Sequence, residues 1–240
     1  MGNMILLYGQ PGVGKTCLAG TAGGKGKKVH WLDLDDGSES LDIFSEKIKK
    51  DIKVTKIQSV EALEREYEKL SKIRDSIIVI DHLTELQELC MDGFRGKAES
   101  VFKKQLTSRQ HRLRLNIVVK DIIRDLKVIS VKGNNLVICL AHETYDDKKL
   151  IIHPDVAGKL GMWVCGVFSM VGRLEMLDGG RILRIKEYKD EEEELTIIAK
   201  SRKTSRTAIK SPTIPKLLFV LEGKKEVIDG AEKKEEEVED

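Results

Sequence analysis

The sequence predicts a single α/β domain whose central, mostly parallel sheet is extended by antiparallel strands toward the C-terminus. Three observations predict it. Uninterrupted apolar runs, Met4-Ile5-Leu6-Leu7-Tyr8 and Ile77-Ile78-Val79-Ile80 among them, stop on Gly9 and Asp81, as strands buried on both faces do. Stretches with apolar residues at steps of three and four alternate with these runs. Beyond about residue 160 the alternation gives way to short strands and a Gly-Gly turn.

In order, residues 4–8 form the first strand, followed by a glycine-rich loop and a short helix over 16–21. Residues 29–34 make a second strand and 54–57 a third. Ser59 caps the next helix, in which Val60, Leu63, Tyr67, Leu70 and Ile73 share a face. The strand 77–80 is followed by a helix over 116–131 with Ile117, Ile122, Leu126 and Ile129 inward, then by the strand 136–141, ending at His142. Strands 167–176 and 181–185 flank Leu177-Asp178-Gly179-Gly180, a hairpin signal, and a strand over 195–199 continues the same sheet. The domain is expected to span 1–223. From Glu226 on, eight Asp or Glu face only Lys233 and Lys234, so 224–240 is expected to be a disordered acidic tail.

With 240 residues, 40% of them hydrophobic and 34% charged, the chain can build one large core under an ion-rich surface. A net charge of +2 leaves attraction to polyanions to local patches. The four cysteines, Cys17, Cys90, Cys139 and Cys165, form no CxxC pair, which speaks against a zinc site or disulfide framework and for a reducing compartment. No run approaches the length needed to span a bilayer and no signal-peptide pattern opens the chain. A cytoplasmic protein without membrane contact is expected.

Gly9-Gln10-Pro11-Gly12-Val13-Gly14-Lys15-Thr16 matches G-x-x-x-x-G-K-[ST] at every fixed position, between a strand and a helix. Glycines there let backbone N–H groups wrap a phosphate, and the helix presents its positive end to the same anion. Lys15 is expected on the β- and γ-phosphates, the Thr16 hydroxyl on Mg²⁺, and Cys17 next to them at the start of the helix. The expected cofactors are ATP and Mg²⁺, since no guanine-reading N-K-x-D motif is present. Asp81, at the carboxyl end of its strand, is the expected second metal ligand.

His82, rather than a glutamate, follows Asp81, so the arrangement usual in hexameric AAA+ machines is missing. Carboxylates stand instead in Leu32-Asp33-Leu34-Asp35-Asp36-Gly37, after the second strand. A base there can orient water toward a γ-phosphate. The same acids can equally cap the following helix with Ser38. Lys200 and Arg202, two apart in an extended segment, point to one side, either toward a neighbouring subunit's phosphate or into solvent.

With these residues assembled, the chain resembles the phage and archaeal RecA-like ATPases of the single-strand-annealing type, often labelled phage nucleotide-binding or AAA-domain proteins. The similarity runs over roughly residues 3–220. It is carried by 9–16, LDLDDG at 32–37, IVIDHLTEL at 78–86, CLAHE at 139–143, HPDVAGKLG at 153–161 and the segment 200–202. The resemblance implies a RecA-like P-loop NTPase core and single-stranded DNA as partner in recombination or annealing. It implies Asp35 as the base, with Asp36 the second choice, and His142 as a γ-phosphate sensor. It also implies Lys200 and Arg202 as fingers acting in trans, hence self-association into a ring or filament. Asp35 stands where a glutamate is commoner in the family.

Two segments are candidates for DNA contact. Arg95, Lys97, Lys103, Lys104, Arg109, Arg112 and Arg114 are opposed only by Glu99; a solvated loop or helix face has the same composition. The stretch 144–159, with Tyr145, Lys148, Lys149 and His153, is read as a loop after the sensor strand, where the resemblance places a DNA-contacting loop. The competing function is a nucleotide-gated regulatory or assembly ATPase that binds no DNA.

Overall fold

In the computed structural model, residues 3–24, 26–102, 108–156, 160–177, 179–190 and 194–223 are described, the side chains of 94–102 and 108–112 excepted. Six parallel strands form the centre: β1 (Asn3–Gly9), β2 (Val29–Asp33), β3 (Ile52–Lys56), β4 (Ile77–Asp81), β5 (Leu136–Asp146) and β7 (Met170–Leu177). Their order across the sheet is β7-β1-β5-β4-β2-β3. On the outer side of β7 run two antiparallel partners, β8 (Gly180–Arg184) and β11 (Lys200–Ser201), and β12 (Ala208–Lys210) pairs with β8.

Both faces of the sheet are covered, which is why its strands read as continuous apolar runs. On one face Met4, Leu6 and Tyr8 of β1 meet α3 (Val60–Leu70), α4 (Leu83–Phe102), α5 (Ser108–Gly133) and α6 (Leu160–Val167). On the other, Ile5 and Leu7 meet α1 (Lys15–Gly20) and α7 (Ile214–Leu221). A 3-10 turn, Gly37–Ile43, and the one-turn helix α2 (Glu46–Lys49) join β2 to β3. Ser59 caps α3 as expected, accepting from the Ala62 amide at 3.1 Å.

Several expectations need correction. The helix expected over 116–131 starts at Ser108, and α4 precedes it with no counterpart in the sequence reading. Ile117 does not face inward; it is 59% exposed, while Leu115, Val119, Ile123 and Leu126 are buried. α5 carries apolar residues on two faces, so periodicity alone selects the wrong one of them. β5 does not end at His142 but continues to Asp146, because β6 (Ile151–Pro154) pairs with 143–146. The expected loop 144–159 is therefore largely a hairpin, in which Tyr145 is 49% exposed and the Lys149 ammonium lies 2.7 Å from Asp146. Lys159 lies outside the described residues. The strand expected over 195–199 shortens to β10 (Thr196–Ile197), which joins the sheet through β6, the partner of β5, and pairs with β9 (Tyr188–Lys189) on its other side. Among the described residues no helix is long and apolar enough to cross a membrane.

Candidate functional site

The loop after β1 turns on Gly12 and Gly14, with φ of 77° and 98°. That left-handed backbone favours glycine, and Gly14 is the N-cap of α1. Gly9 is excluded from carrying a side chain for a different reason: a Cβ there would collide with the Leu174 carbonyl oxygen on β7. Gln10, Pro11 and Gly12 are exposed, Val13, Gly14, Thr16 and Cys17 half-buried, and the Cys17 thiol lies 3.9 Å from the Ser40 carbonyl.

Lys15 is buried and folds back over the loop, its Nζ donating to the carbonyls of Gly9 at 3.0 Å and Gln10 at 2.9 Å. Burial lowers its pKa, and the carboxylates of Asp81, Glu143 and Asp35 oppose that. A lysine held by two carbonyls keeps a third donor to offer a phosphate.

Asp81 ends β4 and is 1% exposed. Burial first, then the Asp35 charge, push its carboxyl up to about 7, against a hydrogen bond from Thr16. Its Oδ2 has no hydrogen-bond partner among the described residues. Among those residues no three His, Cys, Asp or Glu side chains form a metal cage. One carboxylate, one hydroxyl and room for phosphate oxygens is nonetheless the donor set Mg²⁺ takes in nucleotide sites. The residues fit that ion.

Asp35 and Asp36 diverge. Asp35 accepts from the Gly37 amide at 3.0 Å, and its Oδ2 lies 3.1 Å from Nε2 of the buried His82. The His82 imidazole at that distance holds the Asp35 carboxyl below the usual range, against partial burial. Asp36 sits at φ 61°, exposed, with Lys56 Nζ at 2.6 Å. Asp36 occupies the N-cap position of the 3-10 turn without a capping hydrogen bond from its side chain, while Asp35 both accepts from the first amide of that turn and is turned toward His82.

His142 is the register partner of Gly9, which puts its ring beside the phosphate loop. It packs edge-on against His82 with ring centroids 4.1 Å apart. Desolvation, helped by the neighbouring His82 and Lys15 charges, pushes its pKa down to about 4. Its Nδ1 is buried without a partner among the described residues. The following Glu143 is occupied elsewhere, bound to Arg173 at 2.9 Å.

Lys200 and Arg202 stand apart from this cluster. Lys200 Nζ donates to the carbonyls of Cys165 at 2.6 Å and Gly166 at 3.2 Å, closing the C-terminal end of α6; Arg202 reaches Gly166 only at 3.5 Å. Of the basic stretch 95–114, Arg114 is exposed and the side chains of Arg95, Lys97, Lys103, Lys104, Arg109 and Arg112 lie outside the described residues.

Two residues at the site carried no assignment from sequence. Arg181, at the tip of β8, donates from Nε to the Val13 carbonyl at 2.9 Å and covers Gly14, where a Cβ would fall 2.5 Å from the same nitrogen. Asp33, the last residue of β2, is buried at 2% exposure with neither carboxylate oxygen hydrogen-bonded among the described residues. An acid directly after Val29-His30-Trp31-Leu32 was the one available signal for it; for Arg181 there was none.

A family model described as AAA domain matches residues 1–203. No curated protein matches. Among solved structures, the crystal structure of the RadB recombinase superposes with a TM-score of 0.50 at 18% identity, over 81% of this chain and 84% of that one. At that identity the likeness shows the fold, an α/β domain of the RecA-like type.

Proposed function

This chain belongs to the AAA-domain family, and from that premise we propose that it is an ATP- and Mg²⁺-dependent ATPase acting on single-stranded DNA in recombination or annealing. Its P-loop ATPase domain of RecA-like fold is common ground with the family and the solved structure. The DNA substrate, the assembly into a ring or filament and the residue roles are what the proposal adds.

One observation carries it. Lys15 at the start of α1, Asp35 just past β2, Asp81 and His82 at the end of β4 and His142 within β5 meet in one electrostatic cluster beside the phosphate loop. In a parallel sheet that edge is where ligands bind.

In this reading each residue has a role. Backbone amides of 10–16 wrap the triphosphate, and Lys15 turns from the Gly9 and Gln10 carbonyls to its β/γ oxygens. Mg²⁺, held by Thr16 and Asp81, would neutralise charge on the phosphate oxygens. Asp35, kept anionic and oriented by His82, accepts a hydrogen bond from the attacking water and positions it. His142, neutral at physiological pH, offers a hydrogen-bond donor toward the γ-phosphate and so senses its loss. Arg202 acts in trans on a neighbour's site, while Lys200 secures α6 beside it.

For DNA, the support is the basic composition of 95–114, the exposed Tyr145 and Lys148 on the hairpin following His142, and the fold shared with a recombinase. ATP turnover with and without single-stranded DNA across a salt series tests the reading. Stimulation that fades as salt rises is the expected result. No stimulation and no gel shift at low salt would favour a nucleotide-gated regulatory or assembly ATPase that binds no DNA. Absence of any MgATP binding in calorimetry would remove both.

A further inference from the structure

Asp33 and Asp81 are register partners on neighbouring parallel strands. The Leu34 amide donates to the Asp81 carbonyl at 2.7 Å, so β2 and β4 are still paired where the two carboxyls leave them. Strands so paired run about 4.8 Å apart. Side chains alternate between faces, and Val29 and Trp31 of β2, like Ile77 and Val79 of β4, pack into the core on the α1 side. Asp33 and Asp81 therefore project to the same face, the one from which Thr16 hydrogen-bonds Asp81.

Between them these two carboxyls, at 2% and 1% exposure, hold three oxygens without a hydrogen-bond partner among the described residues: both of Asp33 and Oδ2 of Asp81. Buried acids normally receive N–H or O–H donors or a cation, because an unpaired buried charge costs several kcal/mol. Asp36, by contrast, has Lys56, and Asp35 has Gly37 and His82. Asp33 stands between Asp81 on β4 and, on β3, Lys56, whose ammonium is held by Asp36 at 2.6 Å.

We propose that Asp33 supplies a second carboxylate, directly or through a bound water, to the divalent cation held by Thr16 and Asp81. The inference rests on the nucleotide-and-metal reading above and adds a residue to it. It makes the site a two-carboxylate one, within the one or two that Mg²⁺ takes alongside substrate phosphates. It also gives the buried acid a partner: the cation would meet carboxyl oxygens that have none among the described residues.

The test is the Mg²⁺ dependence of ADP affinity, measured by calorimetry in Mg²⁺ and in EDTA for wild type and Asp33→Asn. In wild type, Mg²⁺ should tighten ADP binding. In the variant that gain should shrink by about 10-fold or more, while affinity in EDTA stays level or rises, since one negative charge near the phosphates is gone. Melting in EDTA gives a second readout of opposite sign: Asp33→Asn should melt higher than wild type, because a like-charge pair is removed. Mn²⁺ titration in saturating ADP, followed by the electron paramagnetic resonance of free Mn²⁺, should show the same loss of metal affinity. An unchanged Mg²⁺ gain in a folded variant would overturn the proposal, as would a lower melting temperature in EDTA, which would mark Asp33 as a hydrogen-bonded structural acid. A wild type that binds no ADP under either condition would sink the nucleotide reading itself, a different result.

Discussion

Asp35 Oδ2 lies 3.1 Å from His82 Nε2, so the acid after β2 is tied to the residue directly after Asp81 on β4. This contact joins the carboxylate to the end of β4 and fixes its direction. Replacing Asp35 by Asn should leave MgATP affinity within a few-fold and reduce turnover by about 100-fold or more, the scale of a lost general base. Asp36→Asn, which loses only the exposed Lys56 pair, should hydrolyse ATP normally. The reverse pattern in single-turnover assays would transfer the base to Asp36.

His142 predicts a pH dependence with a definite sign. Its folded pKa of about 4 lies below the ordinary 6.5, because of desolvation and the facing His82 and Lys15, with Asp35 opposing. Between those values the unfolded chain binds more protons than the folded one, so the stability owed to neutral His142 is present above 6.5 and lost as pH falls toward 4. Denaturant titrations from pH 7 to pH 4 should show His142→Gln losing less stability than wild type over that window. Parallel curves would mean that the ring protonates freely in the fold.

Lys200 and Arg202 should separate by assay. Lys200 closes α6, which has no basic residue in its own last turn, so Lys200→Ala should cost about 1–2 kcal/mol in denaturant unfolding. Arg202→Ala should leave unfolding unchanged and slow turnover. Mixing it with Lys15→Ala subunits should restore part of the rate, because an intact Arg202 then meets an intact phosphate loop. A mixture no faster than its components would argue against action in trans.

Arg181 braces the loop from outside through the Val13 carbonyl. Arg181→Ala should weaken MgATP binding about 10-fold, the equivalent of roughly one charge-assisted hydrogen bond. Gly14→Ala should do more, since its methyl would both displace the guanidinium and strain a φ of 98°. Equal affinities for wild type and Arg181→Ala in calorimetry would leave Arg181 a surface residue.

The acidic stretch 224–240 offers a last check. It lies outside the described residues; as a polyanion it should compete with DNA for the basic segment 95–114. Truncation after Gly223 is expected to tighten binding of single-stranded DNA at low salt and to matter less as salt rises. Unchanged affinity at low salt would remove the idea.

The phosphate loop, the buried strands and Asp81 were legible because each is a local signal: a glycine spacing, a run of apolar residues, an acid at its end. The capping of α3 by Ser59 is local in the same sense. Periodicity failed where it was ambiguous, in α5, whose two apolar faces are told apart only by the sheet that covers Val119 and Ile123 and leaves Ile117 out. The extension of β5 past His142 likewise needed β6 to supply the pairing partners.

What the chain's order of residues determined by itself was the cradle for a phosphate and the run of acids after β2. Which acid does what was decided by tertiary structure. Asp33 is set beside Asp81 by strand register, Asp35 is turned to His82 by the Gly37 amide and the imidazole, and Asp36 is left to Lys56 in solvent. Arg181 reaches Val13 from 168 residues away. Charge and burial act through space, and a carboxylate's role depends on neighbours that the linear sequence does not place next to it.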